Sequence, residues 1–123
     1  MSDAASALDD FMTARLGEEF NERLARVPVS LMSSGVDPFG MDPEWTKYAL
    51  ASVALLHRHY FRTDVVGTEN IPPGRCLLIA NHSGQIPIDG ALIGASLFMD
   101  AEPPRFMRAM VEKWSQTLPF VSV

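Results

Sequence analysis

Near the start of the chain, apolar residues recur with the period of an α-helix. Between about Ser6 and Val27, apolar residues recur every four positions, a spacing that places them on one side of an α-helix. The apolar positions are Leu8, Met12, Leu16, Phe20 and Leu24, with Phe11 and Val27 beside them. This pattern predicts one amphipathic helix. Its polar face is acidic, whereas helices that lie on membranes usually carry a basic face, so we expect it to pack on a core.

A second helix is predicted after a linker. Residues 28–43 are rich in Pro and Gly, which is typical of a connecting segment. Asp42 suits the N-cap of the following helix and Pro43 its first position, and we expect this helix to run to about Phe61. Its predicted buried stripe consists of Trp45, Ala49, Val53, Leu56 and Tyr60.

Beyond Arg62 the pattern changes to short apolar runs that predict strands. The three runs are Asp64–Gly67, Cys76–Ala80 and Phe106–Val111. The second is continuously apolar and predicts a strand buried on both faces. A third helix is predicted from Pro87 to about Met99. Strand, helix, strand is the order of a βαβ unit, so we predict an α/β fold: a mostly parallel sheet flanked by helices and preceded by the two N-terminal helices.

Composition and charge narrow the classes of protein. The chain of 123 residues is 47% hydrophobic and 20% charged, which is sufficient for a folded core. It has 15 acidic and 10 basic residues, a net charge of −5, and this argues against a nucleic-acid binder. Nine of the acids lie in residues 1–44. We therefore predict an acidic helix and linker in residues 1–43 and an α/β domain in residues 44–123.

The sequence also indicates a compartment. Cys76 is the single cysteine, so no internal disulfide is possible and a reducing compartment is favoured. The first ten residues contain three aspartates and no basic residue, unlike a signal peptide. No apolar run approaches the roughly 20 residues that a bilayer-spanning helix needs. We expect a cytoplasmic protein.

Residues suited to acid–base chemistry directly follow the predicted buried strand. Asn81, His82, Ser83 and Gly84 stand at its carboxyl end, where α/β sheets collect ligands. Asp89 falls in the first turn of the next helix. A loop of this length can bring the Asp89 carboxylate to one ring nitrogen of His82 and leave the other nitrogen as a base near neutral pH. The residues alone leave a second interpretation open, in which Asp89 is a helix-start acid and His82 a loop residue.

The remaining residues that could bind a metal ion, a phosphate or an oxyanion are two histidines, two arginines and two backbone N–H groups. His57 and His59 have no further metal ligand at helical spacing, so we interpret both as structural and predict no metal site. Arg105 and Arg108 either contact a phosphate or are solvated along a strand edge. The backbone N–H groups of Ser83 and nearby Gly84 are candidates for stabilising an oxyanion.

Four segments of the chain carry a resemblance to a known family. They are Asp37–Gly40, Tyr60–Arg62, Val66–Pro72 and Leu78–Gly84. Together they resemble the phospholipid/glycerol acyltransferases, the lysophosphatidic acid acyltransferase-like enzymes, from about Gly35 onward. The resemblance implies the fold of that family and O-acyl transfer from acyl-CoA or acyl carrier protein to the hydroxyl of a lysophospholipid or glycerolipid, with no metal or other cofactor.

The resemblance also implies roles for individual residues. His82 matches the catalytic histidine of the family. The family aspartate is separated from that histidine by four residues, a position that Pro87 occupies here, so Asp89 is assigned as the orienting carboxylate of a longer loop. Asn81, Ser83 and Gly84 are the implied substrate-binding residues. Because the acceptors are lipids, a peripheral association with the inner face of the membrane is implied, with Trp45, Tyr48 and Tyr60 as interfacial residues.

The chain departs from the family downstream. The arginine-bearing Gly-x-x-Phe-x-x-Arg block and the Phe-Pro-Glu-Gly-Thr-Arg block do not occur in it. We therefore interpret the chain as the N-terminal half of a longer enzyme. Two alternatives stay open: a non-catalytic lipid- or partner-binding domain that keeps the acyltransferase fold, and a hydrolase with Ser83 as nucleophile, which lacks a Gly-x-Ser-x-Gly elbow.

Overall fold

The computed structural model describes residues 2–83 and 86–110, and the regular elements within these ranges are helices. In chain order they are α1 (Ser2–Leu16), α2 (Glu18–Arg26), α3 (Pro43–Leu55), a π-helical continuation of α3 (Leu56–Tyr60), a 3-10 turn (Thr68–Asn70) and α4 (Ile88–Met99). None of these helices is long and apolar enough to reach across a bilayer.

The predicted α/β fold with a mostly parallel sheet is wrong for the part of the chain that the structure describes, because no strand occurs there. The run Cys76–Ala80, predicted to be a buried strand, is irregular and exposed, with Leu77 at 77% and Ile79 at 89% of full exposure. An apolar run indicates a preference for burial, but a strand also needs a neighbouring strand for its hydrogen bonds. Residues 64–67 and 106–110 are likewise irregular, and Val111 lies outside the described ranges.

The N-terminal helix predicted over residues 6–27 is divided into α1 and α2 at Gly17, which has φ 79° and ψ 172°. The division has a geometric cause. At 3.6 residues per turn, apolar residues every four positions drift by about 40° per step around a straight helix. The change of direction at Gly17 lets Met12, Leu16 and Phe20, on both sides of the break, all be buried.

The start of α3 is as predicted. The Asp42 side chain accepts hydrogen bonds from the backbone N–H groups of Glu44, at 2.8 Å, and Trp45, at 3.3 Å. Pro43 is the first helical residue. Its missing N–H and fixed φ suit that position, so the N-cap is confirmed.

The side of α3 that faces the core differs from the predicted stripe. Ala51, Ala54 and His57 are buried, while Trp45 is 58% and Tyr60 72% exposed. Of the predicted stripe, Trp45, Ala49, Leu56 and Tyr60 are exposed and only Val53 is half-buried. The two small alanine side chains allow α1 and α4 to approach α3 closely, and the larger apolar residues remain on the outer side.

One core is shared by helices from both ends of the described chain. Its buried members are Met12, Leu16, Phe20, Ala51, Ala54, Phe98 and Met99. The rings of Phe20 and Phe98 meet edge to face, with centroids 5.2 Å apart. Arg23 adds a polar link between α2 and the end of α4, because its guanidinium donates to the carbonyl oxygens of Phe98 and Ala101. These contacts place α4, and the residues at its start, in a defined position.

Candidate functional site

The imidazole ring of His82 is in contact with the carboxylate of Asp89. Nδ1 of His82 lies 2.8 Å from Oδ1 and 2.9 Å from Oδ2 of Asp89. The His82 side chain is 54% exposed and that of Asp89 35% exposed. The contact that the loop length predicts is therefore present, at a site that is open to solvent.

Backbone groups hold the Asp89 carboxylate from two sides. The N–H of Ser83 donates to Oδ2 at 3.1 Å, and the N–H of Gly90 donates to Oδ1 at 2.8 Å. Asp89 is the second residue of α4, where free N–H groups and the helix dipole favour a negative charge. Pro87 precedes the helix and has φ −78°, a value that its ring imposes. The start of α4 thus aims the carboxylate at the His82 loop.

The charge state of Asp89 determines which ring nitrogen of His82 is free. The Ser83 N–H, then the His82 ring and the Gly90 N–H, hold the pKa of the Asp89 carboxyl below its ordinary value. An ionised carboxylate only accepts hydrogen bonds. Nδ1 of His82 therefore carries the proton that it donates to Asp89, and in the neutral ring the lone pair of Nε2 is the one open to a substrate proton.

Of the three other predicted site residues, the structure describes Asn81 and Ser83. Asn81 and Ser83 are exposed on the same segment as His82. The Ser83 N–H is bound to Asp89, so the expectation that it stabilises an oxyanion is wrong for this arrangement. Gly84 lies outside the described ranges. The structure therefore brings together His82, Ser83 and Asp89.

The other histidines are placed differently. His57 is only 3% exposed, and its Nε2 lies 3.0 Å from Oγ of Ser96, which joins the π-helical turn to α4. His59 is exposed. Across residues 2–83 and 86–110, His, Cys, Asp and Glu form no group of three that could hold a metal ion.

Sequence reasoning missed an ion pair between the buried carboxylate of Asp37 and the exposed side chain of Arg108. Asp37 is 2% exposed; its Oδ1 accepts the N–H groups of Phe39 and Met41 at 2.8 Å each, and its Oδ2 pairs with Arg108. The guanidinium of Arg108 also lies over the Phe39 ring, 4.5 Å from its centroid. Neither predicted role of Arg108, phosphate contact or solvated strand edge, describes this pairing. The one available signal was the Asp-Pro-Phe-Gly turn, whose leading Asp favours bonds to the following backbone.

Comparison with known proteins shows similarity to proteins without an assigned activity. The chain is 32% identical over 88 residues to an uncharacterized protein of Mycobacterium leprae, a match that covers 70% of this chain and 24% of the relative. Uncharacterized proteins of Mycobacterium bovis and Mycobacterium tuberculosis are 31% identical over 88 residues, which are 70% of this chain and 25% of each relative. The chain spans about a quarter of the length of the curated relatives it matches.

No family model and no solved structure matches the chain.

Proposed function

We propose that the chain carries the general-base pair of an O-acyltransferase that moves an acyl group from an acyl thioester to a lipid hydroxyl. The observation that carries the proposal is the 2.8 Å contact between Nδ1 of His82 and Oδ1 of Asp89. It leaves Nε2 as a base in a solvent-open position. The resemblance of the segment Leu78–Gly84 to glycerolipid acyltransferases supports the choice of acyl transfer among the reactions that a His–Asp pair can assist.

The proposed reaction has two proton transfers. The hydroxyl of a lysophospholipid or glycerolipid donates a hydrogen bond to Nε2 of His82. As its oxygen attacks the thioester carbonyl, the proton passes to Nε2, and the ionised Asp89 stabilises the imidazolium that forms. The tetrahedral intermediate then collapses, the carbon–sulfur bond breaks, and the departing thiolate takes the proton from Nε2. The products are an ester and the free thiol of coenzyme A or acyl carrier protein.

The exposure of the pair suits a lipid acceptor. With 54% of the His82 side chain exposed, a hydroxyl held at a membrane surface can reach Nε2. Asn81 and Ser83, both exposed next to His82, are the proposed substrate contacts, together with Gly84. The positioning residue is Asp89, which acts on the substrate only through the imidazole.

We further propose that the protein works on the inner face of the membrane as a peripheral protein. Trp45 and Tyr60 support this proposal because both lie on the outer side of α3 and its continuation, with Leu56 between them. Amphipathic aromatic rings favour the boundary between lipid and water. Tyr48, the third residue implied at this interface, is half-buried and packs against the core. The proposed membrane face therefore consists of Trp45, Leu56 and Tyr60.

The test is an acyl-transfer assay with palmitoyl-CoA or palmitoyl acyl carrier protein as donor and 1-acyl-glycerol 3-phosphate as acceptor. His82→Ala should reduce turnover by about 10²–10⁴-fold, the range that general-base assistance supplies. His59→Ala is the matched control, since His59 is an exposed histidine on the π-helical turn, and it should retain wild-type turnover. Circular dichroism checks that both variants keep their helices. The assay uses the longer protein of which we interpret this chain as the N-terminal part. Full turnover in His82→Ala would contradict the proposal, as would a wild-type protein of that length that binds lipid without turnover; the second result favours the non-catalytic alternative.

A further inference from the structure

The side chain of Arg105 holds the segment of chain that leads to His82. Its guanidinium donates to the carbonyl oxygen of Gly74 at 3.0 Å and to that of Pro72, and its Nη1 lies 3.8 Å from Sγ of Cys76. A guanidinium suits this contact because its donors form a rigid fork that can reach two acceptors at once. Neither predicted role of Arg105, phosphate contact or solvated strand edge, describes this arrangement, which we call the Arg105 clamp.

The backbone of Arg105 is itself fixed to the end of α4. Its N–H donates to the carbonyl oxygen of Leu97 at 3.2 Å. The next residue, Phe106, packs against the core, with its ring centroid 5.9 Å from that of Phe98. The clamp therefore ties the chain before His82 to the same helix whose first turn carries Asp89.

The chain between the clamp and His82 has little support of its own. Residues 77–81 are irregular and exposed, and no hydrogen bond among the described residues involves their backbone. The contact between His82 and Asp89 is open to solvent, and exposed pairs of this kind contribute little stability by themselves. The position of the imidazole therefore depends on where the preceding chain is anchored.

Loss of the clamp lengthens the unanchored chain before His82. With the clamp, this stretch is about ten residues, from Gly74 to Ser83. Without it, the preceding fixed point is the end of the π-helical turn, where the Thr63 N–H donates to the His57 carbonyl oxygen at 2.9 Å. The stretch then grows to about twenty residues, and each doubling of a flexible loop lowers the equilibrium for bringing its ends together by about threefold.

We infer that Arg105 is a positioning residue for the proposed general base. It holds the chain before His82 against the end of α4, so that the imidazole meets the carboxylate at the start of the same helix. The pair is thus fixed from both ends of α4, by Asp89 directly and by Arg105 through the intervening chain. The inference rests on the proposed function where it treats His82 as a base, but the contact that Arg105 maintains can be measured without turnover.

NMR of the ring nitrogens tests the inference in the longer protein labelled at histidine. In a neutral imidazole their chemical shifts show which nitrogen carries the proton, and His82→Ala identifies the signals of His82. The wild-type ring should carry its proton on Nδ1. Arg105→Met removes every donor of the clamp and should lower the ratio of the Nδ1–H to the Nε2–H form by about threefold. Acyl-transfer turnover should fall by about twofold to threefold, with the KM for the acyl donor unchanged.

Three further variants separate positioning from a general structural role. Arg105→Lys keeps a donor that reaches one carbonyl oxygen and should give a ratio between those of wild type and Arg105→Met. Arg75→Met, at an exposed arginine of the clamped segment, should leave the ratio unchanged. Arg23→Met also removes an arginine that donates to two backbone carbonyl oxygens, those of Phe98 and Ala101, but away from the His82 segment. It should lower stability to urea and leave the ring of His82 unchanged.

Two results would overturn the inference: an unchanged ratio in Arg105→Met, or an equal change in Arg23→Met, which would make the effect one of overall stability. Circular dichroism shows that each variant is folded. Failure of the proposed function looks different. If the wild-type protein shows no acyl transfer but Arg105→Met still shifts the proton of His82, Arg105 keeps its positioning role and only the reaction is excluded. If the wild-type protein turns over and Arg105→Met changes neither turnover nor the ratio, only the role of Arg105 is excluded.

Discussion

Asp89 receives the Nδ1–H of His82 between its two carboxylate oxygens, at 2.8 and 2.9 Å. The carboxylate is itself fixed by the N–H groups of Ser83 and Gly90, so the orientation of the ring depends on where α4 begins. A loop histidine and a helix-start acid form one unit in which only Nε2 is available to a substrate.

The first prediction concerns this division of the ring nitrogens. Asp89→Asn replaces a pure acceptor by an amide that can also donate, so it no longer dictates that Nδ1 carries the proton. We expect acyl-transfer turnover to fall by about 10²–10⁴-fold with little change in helix content. In steady-state assays, the double variant His82→Ala/Asp89→Asn should be no slower than His82→Ala alone, because the two residues act as a unit. If the loss of turnover in the double variant equalled the product of the two single-variant losses, Asp89 would act independently of the imidazole.

The second prediction concerns the outer side of α3. Trp45→Ala/Tyr60→Ala should reduce the fraction of protein that floats with liposomes of phosphatidylethanolamine and phosphatidylglycerol. We expect about a tenfold weaker partition, since two large exposed rings are removed from the lipid boundary. Val66→Ser is the control because Val66 is 90% exposed and is part of neither α3 nor its π-helical continuation. Equal flotation of all three proteins would exclude this side of α3 as the membrane contact.

The third prediction concerns pH and the Asp37–Arg108 pair. Burial acts to raise the pKa of the Asp37 carboxyl, but the Met41 N–H, the Arg108 guanidinium and the Phe39 N–H together outweigh it, and the pKa lies below its ordinary value of 3.8. A carboxyl whose pKa is lower in the folded state stabilises the fold above its unfolded pKa, and this stabilisation is lost as the pH falls through the folded value. The wild-type chain should therefore lose stability as the pH falls from about 5 toward 2.

Asp37→Asn isolates that contribution. The amide oxygen can still accept the N–H groups of Phe39 and Met41, so the variant mainly loses the ion pair with Arg108. Urea unfolding should show the variant less stable than wild type at pH 7, with a difference that shrinks as the pH approaches 2. Asp10→Asn, at an exposed carboxylate of α1, should not change how the free energy of unfolding depends on pH. A constant difference at every pH would rule out a role for the charge of Asp37.

The fourth prediction concerns the break between α1 and α2. Gly17 adopts φ 79° and ψ 172°, a region of backbone conformation that residues other than glycine rarely occupy. A Cβ at Gly17 would meet nothing within 4 Å, so the cost of Gly17→Ala is one of backbone conformation. We expect a loss of about 1–3 kcal/mol in the free energy of unfolding, measured with urea. Gly90→Ala, at an unobstructed position within α4, should instead stabilise by about 0.5–1 kcal/mol, and equal effects of both substitutions would contradict this account.

Features that depend on a few neighbouring residues were predictable. Asp42 and Pro43 start α3 because a cap needs only the next two or three N–H groups. Helices were predicted over most of the residues that form α1 to α4, although α1 and α2 were expected to be one helix. The contact between His82 and Asp89 was also within reach, because seven residues of chain limit how far apart the two groups can be. Their catalytic role stays a prediction.

Features that depend on distant partners were not predictable from the pattern. Burial of Asp37 requires Arg108, which stands 71 positions further along the chain. The apolar positions of α3 do not say which side faces the core, and close packing of α1 and α4 selected the alanines and left Trp45 and Tyr60 outside. The run Cys76–Ala80 is apolar enough for a strand, yet the described residues supply no second strand to bond with it. Residues adjacent in sequence determine local hydrogen bonds. Which apolar surface becomes buried depends instead on the distant segments that pack against it in the folded chain.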